Sequence, residues 1–463
     1  AHKIVRKLGT DITMYAKALG TAFVLLFAAM GCTETQKELA VDDRPNILLI
    51  VADDLGYADL GIYGSDIETP NIDSLARDGV LFTRFHTAPM CSPTRAMLLS
   101  GNNNHVAGVA RQSAIGLVGA PVRGYEAHLS DRIAPFPQLL SDTGYRTMMV
   151  GKWHLGLEAE HSPVAAGFEF VYSLLQGAGT HFDSTGYKEG GSLYQEGNER
   201  VEYPQGRYST DLYTEKLIGF LDSTNGDGRP FFAFAAYTSP HWPLQVPDDY
   251  LDLYAGRYDA GYDVLREERF ASLKAAGIIP ADSELPSRNP TVAPWEDLSA
   301  EVRQRESRKM ELYAAMVDNL DDHVGRLLDH LKANDEYENT IVIFMSDNGA
   351  AAEDFYYQGP FVDYVRSQFD NSYENMGTAE SFVSYGKQWA EAGSAPFQRY
   401  KGWAREGGIV APMIVAGTGV AASDTIDSNY VTVMDLAPTF LELAAAAYPD
   451  DGSVEAMLGS FVP

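Results

Sequence analysis

The stretch "NILLIVADD", residues 46–54, gives the first indication of how this chain folds. After Asn46 it runs through apolar residues without a break and ends in two aspartates. A continuous apolar run is typical of a strand that is buried on both faces of a parallel sheet. We therefore predict a buried parallel strand here, with Asp53 and Asp54 at its carboxyl end.

Similar apolar runs recur along the chain and predict further strands. They are "YRTMMVGKWHLG" (145–156), "PFFAFAAYTSPHWP" (230–243), "TIVIFMSDNGA" (340–350) and "APMIVAGTG" (411–419). Helical patterns lie between them, such as "NIDSLARDG", which stops at Gly79, and the amphipathic stretch 309–334. Alternating strands and helices predict an α/β fold, with a large, doubly wound, mostly parallel sheet and helices on both faces. The ranges 177–208 and 353–398 have the composition of long loops.

Composition excludes several functional classes. The 463 residues include 35 Lys and Arg against 64 Asp and Glu, so the net charge is −29. Such a charge repels phosphate backbones, and we expect no nucleic-acid partner. An anionic substrate would have to be held by a few local cations. The two cysteines rule out a disulfide framework and a thiolate zinc site.

The first 44 residues have the pattern of an export signal and a tether. Basic residues precede the apolar run "ALGTAFVLLFAAM", which is short for a membrane span, and Gly31 and Cys32 follow. Residues 1–32 resemble a lipoprotein signal with Cys32 as the lipid-bearing residue; an ordinary cleavable secretory signal is the alternative. Residues 33–44 are polar and suit a tether. We expect an exported protein that is periplasmic or membrane-anchored, with the lipid as its only membrane attachment.

Polar residues follow several of the predicted strands. The first ends in Asp53 and Asp54, another ends in "KWH" (152–154), a third ends near His241, and a fourth ends in Asp347 and Asn348. Ligands of open α/β sheets bind at the carboxyl ends of the strands, so four such ends suggest one site. Three carboxylates and one amide oxygen suit a hard divalent cation such as Ca²⁺ or Mg²⁺. Either pair alone would read as a helix cap or a turn.

Cys91 lies in "APMCSPTRAMLLSG", residues 88–101. Ser92 is a good N-cap and Pro93 suits the first helical position, so we expect Cys91 just before a helix that stops at Gly101. Three interpretations are open: a buried structural cysteine, a thiolate nucleophile with its pKa lowered by the helix N-terminus, or a precursor whose sulfur is removed.

The pentapeptide "CSPTR" (91–95) matches the C-x-P-x-R signature of the type I sulfatases, a family with an alkaline-phosphatase-like fold. "NILLIVADDLGYADLGIYG", "GKWHLG", "TSPHWPLQ" and "IFMSDNGA" occur in the order of that family. The resemblance extends from Pro45 almost to the C-terminus. Stretches such as "GYEAHLSDR" (124–132) are particularly similar to bacterial arylsulfatases.

The resemblance implies a modified nucleophile. A formylglycine-generating enzyme would oxidise Cys91 to formylglycine, whose aldehyde is hydrated to a geminal diol. One hydroxyl attacks the sulfur of a sulfate ester and expels the alcohol or phenol. The second hydroxyl then loses its proton and collapses to the aldehyde, which releases inorganic sulfate. A serine could form the covalent sulfate but has no second hydroxyl through which to release it.

The resemblance also assigns roles to other residues. His154 would be the base for the second hydroxyl, Arg95 would hold the diol, and His241 would bind sulfate and help to protonate the leaving group. Lys152 and Lys401, the latter in "YKGWAREGG", would neutralise the sulfate oxygens. Asp53, Asp54, Asp347 and Asn348 would bind the metal, Ca²⁺ in preference to Mg²⁺. The remaining histidines considered, which we assign no role, are His105, His128, His181 and His323.

The predicted domains follow from the same resemblance. Residues 45–450 form the catalytic domain, and 451–463 are the start of a smaller antiparallel C-terminal domain that is largely missing from this chain. We expect hydrolysis of sulfate monoesters, with aryl sulfates as the favoured substrates among small-molecule and saccharide sulfate esters. The alternatives are a phosphate or phosphonate ester hydrolase of the same superfamily, and a non-catalytic sulfatase-like surface lipoprotein.

Overall fold

The computed structural model describes residues 42–112, 122–420 and 423–448. Contacts divide the chain into two units, Ala1–Val41 and Asp42–Pro463. The predicted signal segment 1–32, the tether up to residue 41 and the predicted C-terminal region 451–463 lie outside the described residues. No helix in the described ranges has the length and apolar character that crossing a bilayer requires.

The described residues form one eleven-stranded sheet. Its strands are β1 (Asn46–Ala52), β2 (Val80–His86), β3 (Arg146–Lys152), β4 (Phe170–Leu174), β5 (Tyr194–Glu196), β6 (Glu199–Val201), β7 (Phe231–Ala236), β8 (Thr340–Ser346), β9 (Val410–Gly417), β10 (Thr425–Asp427) and β11 (Val431–Thr432).

The α-helices of the described ranges connect and cover these strands. They are α1 (Pro70–Asp78), α2 (Cys91–Ser100), α3 (Phe136–Asp142), α4 (Ser209–Thr224), α5 (Gly261–Ala275), α6 (Ala300–Ala333), α7 (Val362–Gln368), α8 (Gly386–Gly393), α9 (Glu406–Ile409) and α10 (Leu436–Leu443).

Strand β1, which contains the apolar run that predicted the fold, lies in the middle of the sheet. The strand order is β10-β2-β9-β8-β1-β7-β3-β4-β5-β6, and β11 also pairs with β2. Strand β1 is parallel to β7 and β8, with Leu49 between Phe234 and Ile343. Strand β9 is antiparallel to β8 and β2, and β5 and β6 form an antiparallel extension beyond β4. The predicted doubly wound, mostly parallel sheet is therefore confirmed.

Strand β1 is buried because helices cover both faces of the sheet. Leu48 and Ile50 pack in one core with residues of α6, while Ile47, Leu49 and Val51 pack in another with residues of α2, α3 and α10. Alternate side chains of a strand point to opposite faces, so a strand between two cores must be apolar throughout. This explains why the run "ILLIVA" lacks a polar position.

Two expected ranges differ in detail. Helix α6 begins nine residues before the amphipathic stretch, at Ala300, where the Ser299 hydroxyl accepts a hydrogen bond from Val302 N at 3.3 Å. The two predicted long loops also contain regular structure: β5 and β6 lie within 177–208, and α7 and α8 lie within 353–398. These elements are short, and the patterns by which strands and helices are predicted need longer segments.

Candidate active site

The carboxyl ends of neighbouring strands bring the predicted site residues together. Backbone hydrogen bonds join the segments beyond β1, β7 and β8, from Asp53 N to Ser239 O at 3.1 Å and from Asp347 N to Ala52 O at 3.2 Å. The structure therefore brings these strand ends together at one edge of the sheet, as predicted. The side chains of Asp53, Asp54 and Asp347 are all buried there.

Cys91 is the first residue of α2, and the expected cap is wrong. The N-cap is Met90, which has an extended backbone, and Ser92 is already helical. The Thr94 hydroxyl, not that of Ser92, ties the helix to the preceding loop through Ala88 N at 3.0 Å and Ala88 O at 3.1 Å. With that hydroxyl holding the loop, the helix begins two residues earlier than the Ser-Pro pair suggests. The predicted stop at Gly101 is correct, and its φ is 67°.

The Cys91 thiol faces two carboxylates. Its Sγ lies 3.5 Å from Asp53 Oδ1 and 3.7 Å from Asp54 Oδ1, and the residue is fully buried. Burial, together with the negative charge of Asp347, raises the pKa of the Cys91 thiol well above its usual value. This direction is opposite to the one required by the interpretation of Cys91 as a thiolate nucleophile, which is therefore disfavoured.

Three buried cations pair with the three carboxylates. Lys152 Nζ lies 2.7 and 2.6 Å from the two oxygens of Asp53, and Lys401 Nζ lies 2.8 Å from Asp54 Oδ2. Arg95 donates from Nε and Nη2 to Asp347 Oδ2 at 3.0 and 2.8 Å. Charge is thus balanced within the group, as buried ions require. We call it the active-site cluster: Asp53, Asp54, Asp347, Arg95, Lys152 and Lys401.

The pKa values in this cluster follow from burial and from the pairing. Burial favours neutral Asp54, but Lys401 and His241 outweigh it and lower the pKa of Asp54. Burial and the negative charge of Asp53 raise the pKa of Asp347. Burial opposes charge on Lys401, yet Asp54 raises the pKa of Lys401 well above its usual value. The lysine therefore remains a cation that an anionic ligand would meet.

His154 lies beside the cluster in an unusual backbone conformation. Its φ is 61°, in the left-handed region, and its N–H donates to Leu175 O at 3.2 Å. Its buried Nδ1 has no hydrogen-bond partner among the described residues. Burial and the nearby cations, Lys152 first, lower the pKa of His154 well below its usual value. The imidazole is therefore neutral at physiological pH and has a free nitrogen that can accept a proton.

His241 is held as a neutral ring with a defined tautomer. Its Nδ1 lies 2.7 Å from Trp242 O, and because a carbonyl only accepts, Nδ1 carries the proton. Its Nε2 then accepts from Lys401 Nζ at 3.4 Å, with Asp54 Oδ2 3.2 Å away. Burial lowers the pKa of His241 to about 3. In this state Nε2 only accepts, so both parts of the predicted role, a hydrogen bond to sulfate and proton donation, require Nε2 to gain a proton.

The site has the composition of a divalent-cation site. Among His, Cys, Asp and Glu of the described ranges, Asp53, Asp54, Cys91 and His241 bring ligand atoms within 4.8 Å of one another. Asn348 Nδ2 donates to Asp54 Oδ1 at 2.7 Å, while its buried Oδ1 has no hydrogen-bond partner in the described part of the chain. An unused amide oxygen beside carboxylates is a hard donor that Ca²⁺ or Mg²⁺ takes, so Asp53, Asp54 and Asn348 fit such an ion. The predicted ligand Asp347 is not in the group whose ligand atoms lie within 4.8 Å of one another.

Two residues of importance were missed from the sequence. His181, to which we assigned no role, is buried, and its Nε2 lies 3.2 Å from His241 O. Gly177 packs against the His154 ring, where any side chain would collide. No feature of the sequence pointed to Gly177. The only indication for His181 was its position in a predicted long loop. The other set-aside histidines have contacts elsewhere: His105 with Tyr125, His128 with His161, and His323 with Arg326.

The sheet and the edge at which these groups meet define the class as an alkaline-phosphatase-like α/β protein. A family model described as Sulfatase matches residues 45–446. The chain is 37% identical over 441 residues to an arylsulfatase of Klebsiella aerogenes, covering 93% of this chain and 92% of that enzyme. It is 43% identical over 429 residues to an uncharacterized sulfatase of Schizosaccharomyces pombe, covering 89% and 76%.

Solved structures agree with this assignment. The crystal structure of Ps i-CgsB has a TM-score of 0.61 at 27% identity, covering 88% of this chain and 73% of that one. A phosphonate monoester hydrolase of Agrobacterium radiobacter, at 20% identity and a TM-score of 0.51, shares the fold. The chain belongs to the sulfatase family, which uses a metal ion and a cysteine-derived formylglycine, and it is a sulfuric ester hydrolase. The resemblance and the reaction predicted from the motifs are thus confirmed.

Proposed function

We propose that this protein hydrolyses aryl sulfates, using formylglycine made from Cys91 and a bound Ca²⁺. The observation that carries the proposal is the position of Cys91: the first residue of α2, buried, with Asp53 and Asp54 within 3.7 Å of its sulfur. A thiol held there with a raised pKa is a poor nucleophile, whereas an oxygen nucleophile in its place would meet the metal ligands and the buried cations.

Residue 91, once it is formylglycine hydrate, supplies the attacking oxygen and the second hydroxyl that permits release of sulfate. Lys152 and Lys401 direct two ammonium groups at the sulfate oxygens, and their pairing with Asp53 and Asp54 keeps both of them protonated. The His241 ring is fixed through Trp242 O and adds a contact on the same side as Lys401.

His154 accepts the proton of the second hydroxyl. Its lowered pKa keeps the ring neutral until that step, and its unpartnered Nδ1 is available to take the proton. Arg95 orients residue 91 from within the same helix: its guanidinium is held by Asp347 and by Lys152 O, the latter at 2.8 Å. A planar group with two fixed partners positions neighbouring oxygens better than a flexible ammonium would.

Asp53, Asp54, Asp347 and Asn348 would hold the metal ion, which polarises the sulfate. We favour Ca²⁺ over Mg²⁺ because the donors are carboxylates and an amide oxygen on separate segments, whereas Mg²⁺ demands near-ideal octahedral geometry. Chelation by EGTA should abolish turnover, and Ca²⁺ should restore it at lower free concentration than Mg²⁺. Restoration by Mg²⁺ alone would contradict the assignment.

The aryl part of the proposal draws on the Klebsiella relative and on aromatic residues beside His241. The Trp242 ring lies 4.2 Å from that of His241, and Tyr187 and Phe355 pack edge-on against Trp242. Saccharide sulfates are the second candidate, since the 26%-identical structure of Ps i-CgsB is a complex with k-i-k-neocarrahexaose. Turnover of p-nitrophenyl sulfate should exceed that of a sulfated oligosaccharide; the reverse preference would favour the second candidate.

The same assay separates the phosphate and phosphonate alternatives. Sulfate and phosphate esters share a tetrahedral anionic centre, so binding alone discriminates poorly. We expect p-nitrophenyl sulfate to be turned over at least about 100-fold faster than p-nitrophenyl phosphate, a difference of roughly 2.7 kcal/mol in barrier. Faster turnover of the phosphate would overturn the proposal.

Maturation requires a formylglycine-generating enzyme as a transient partner. Mass spectrometry of the tryptic peptide that contains Cys91 should show an aldehyde in protein from a host that has that enzyme. Protein from a host without it should retain the thiol and be inactive. Unmodified Cys91 in fully active protein would eliminate formylglycine from the mechanism.

We also propose that residues 1–32 direct export and that Cys32 receives a lipid, because a basic segment and a short apolar run precede Gly31 and Cys32. Labelling with a radioactive fatty acid should mark the wild-type protein and not Cys32→Ser. Recovery of the protein from the cytosol alone would contradict export.

A further inference from the structure

The segment that follows β4, residues 175–181 with the sequence "LQGAGTH", contacts both histidines of the site. We call it the β4 exit segment. Strand β4 pairs with β3, so its end lies beside the end of the strand from which Lys152 and His154 emerge. The proposed roles of His154 and His241 require exact placement of two rings, and neither ring is held by its own strand.

At its start, the segment holds His154. Trp153 N and His154 N donate to Leu174 O and Leu175 O at 2.8 and 3.2 Å, which continues the ladder past the end of β3. Gly177 then lies against the imidazole so closely that a Cβ on it would overlap Cε1, Nε2 and Nδ1 of His154. Gly177 does not have a left-handed φ, so the absence of a side chain is needed for this contact and not for the backbone.

At its end, the segment holds His241. The His181 ring is buried, its Nδ1 lies 2.7 Å from Ser209 Oγ, and its Nε2 lies 3.2 Å from His241 O. Because the carbonyl only accepts, Nε2 donates and Nδ1 accepts from the serine hydroxyl. His181 N also donates to Gln245 Oε1 at 2.9 Å. Both the ring and the backbone of His181 are thus attached to the segment 241–245.

We propose that the β4 exit segment positions both histidines, with Gly177 a positioning residue for His154 and His181 one for His241. The inference rests on the proposed function, in which His154 accepts a proton and His241 binds sulfate. The inference predicts different effects for the two halves of the segment. A change at Gly177 should slow turnover, and a change at His181 should weaken sulfate binding. A merely structural segment would produce neither selective effect.

The matched control for Gly177→Ala is Gly179→Ala, which lies two residues further along the same segment. Gly179 also lacks a left-handed φ, and its Cβ would meet Ser192, Leu174 and Tyr194, none of which is in the site. We expect Gly177→Ala to lower kcat for p-nitrophenyl sulfate by about 10- to 100-fold, as misplacement of a reacting group does. Calorimetric titration with inorganic sulfate should give a Kd close to that of wild type.

Gly179→Ala should keep kcat within about twofold at a similar cost in melting temperature, since its contacts only support the loop. Equal kcat in the two variants would overturn the role of Gly177. A wild-type protein without sulfatase turnover would instead overturn the proposed function, so the two failures are distinguishable.

His181→Ala tests the other half of the segment. It should raise both the KM for p-nitrophenyl sulfate and the calorimetric Kd for inorganic sulfate by about five- to tenfold, the effect of one lost hydrogen bond transmitted to a ligand-binding ring. His181→Gln, which keeps a donor near the Nε2 position, should restore most of the affinity. If both variants melt at a lower temperature than wild type but bind sulfate with an unchanged Kd, His181 is a structural residue and does not position His241.

Discussion

Two groups of buried charge in this protein are built differently. In the first, the Asp59 cluster, Asp59 is fully buried and accepts from Gly56 N at 3.0 Å, from Tyr313 Oη at 2.7 Å and from Arg269, its ion-pair partner. Cβ atoms on Gly56 or Gly393 would run into Asp59 Oδ2, so backbone closes around the carboxylate. Both oxygens of this carboxylate are thus paired within the protein.

The active-site cluster is equally buried but incompletely satisfied. The oxygens of Asp53, Asp54 and Asp347 are paired, yet beside the cluster Asn348 Oδ1 and His154 Nδ1 lack partners within the described ranges. Unpaired polar atoms are rare in protein interiors because each costs free energy of folding. Unpartnered polar atoms also occur elsewhere in the described ranges, Arg269 Nε among them. What distinguishes the active site is that its unpartnered atoms lie beside one buried group of carboxylates and cations.

Cys91→Ala should give the largest effect. It removes the nucleophile, so we expect kcat for p-nitrophenyl sulfate to fall by at least about 10⁴-fold, with the melting temperature nearly unchanged. Ser92→Ala, a neighbouring change at a side chain with no described partner, is the control and should remain active. Substantial turnover by Cys91→Ala would remove residue 91 from the chemistry.

Asp59→Asn should show the opposite profile. It leaves Arg269 buried without a full counter-charge, and we expect the free energy of unfolding in urea to fall by about 3–5 kcal/mol. The kcat per folded molecule should stay within about twofold. Asp66→Asn removes the second, partly exposed partner of Arg269 and should cost less than about 1 kcal/mol. Similar losses in both variants would show that the closed contacts around Asp59 do not set its stability.

Lys401→Ala removes one of the three cations of the active-site cluster and leaves Asp54 without its lysine partner. We expect kcat/KM for p-nitrophenyl sulfate to fall by about 10²- to 10³-fold, because a charged contact to the sulfate is lost. Lys332→Ala, at an exposed position of α6, is the matched control and should behave as wild type. A fall below tenfold for Lys401→Ala would place Lys401 among the structural ions of the fold.

Two buried histidines allow a subtler test through pH. Burial lowers the pKa values of His181 and His323 to about 4, below the usual 6.5. Above pH 6.5 each is neutral in both states, so its contribution to stability is complete. Between 6.5 and 4 only the unfolded state binds the proton, and stability falls by up to about 1.4 kcal/mol per pH unit and histidine.

His181→Gln and His323→Gln should therefore both flatten the dependence of unfolding free energy on pH between 4 and 6.5. Urea denaturation at several pH values measures it. At pH 7.5, His181→Ala should also raise the KM for p-nitrophenyl sulfate, because it removes the hydrogen bond to His241 O, whereas His323→Ala should leave the KM unchanged. A change of KM in His323→Ala, or none in His181→Ala, would break the distinction between the two sites.

The sequence predicted much of the sheet and the residues that meet at its edge, because both depend on long local patterns. Apolar runs that end in polar residues mark buried strands, and parallel strands bring those ends together. What it did not predict depends on contacts between distant segments. The Thr94 hydroxyl displaced Ser92 as the local anchor, and β9 proved antiparallel, since an apolar run does not encode strand direction.

The functional roles were predictable only through the motifs. A buried cysteine before a helix admitted three interpretations, and the raised pKa of the thiol now disfavours one of them. Gly177 and His181 escaped notice because their importance arises from the rings they touch across the fold. No pattern within the loop itself distinguishes Gly177 from Gly179.

The net charge of −29 has a kinetic consequence when it is set against three cations buried inside the site. An approaching anionic ester meets repulsion from the whole surface and attraction only at close range. Dissolved salt screens the long-range repulsion over about 8–10 Å at ionic strengths of 0.1–0.15 M while hardly reaching the buried pairs. Capture of the ester should accordingly become faster, not slower, as ionic strength rises from 10 to 150 mM.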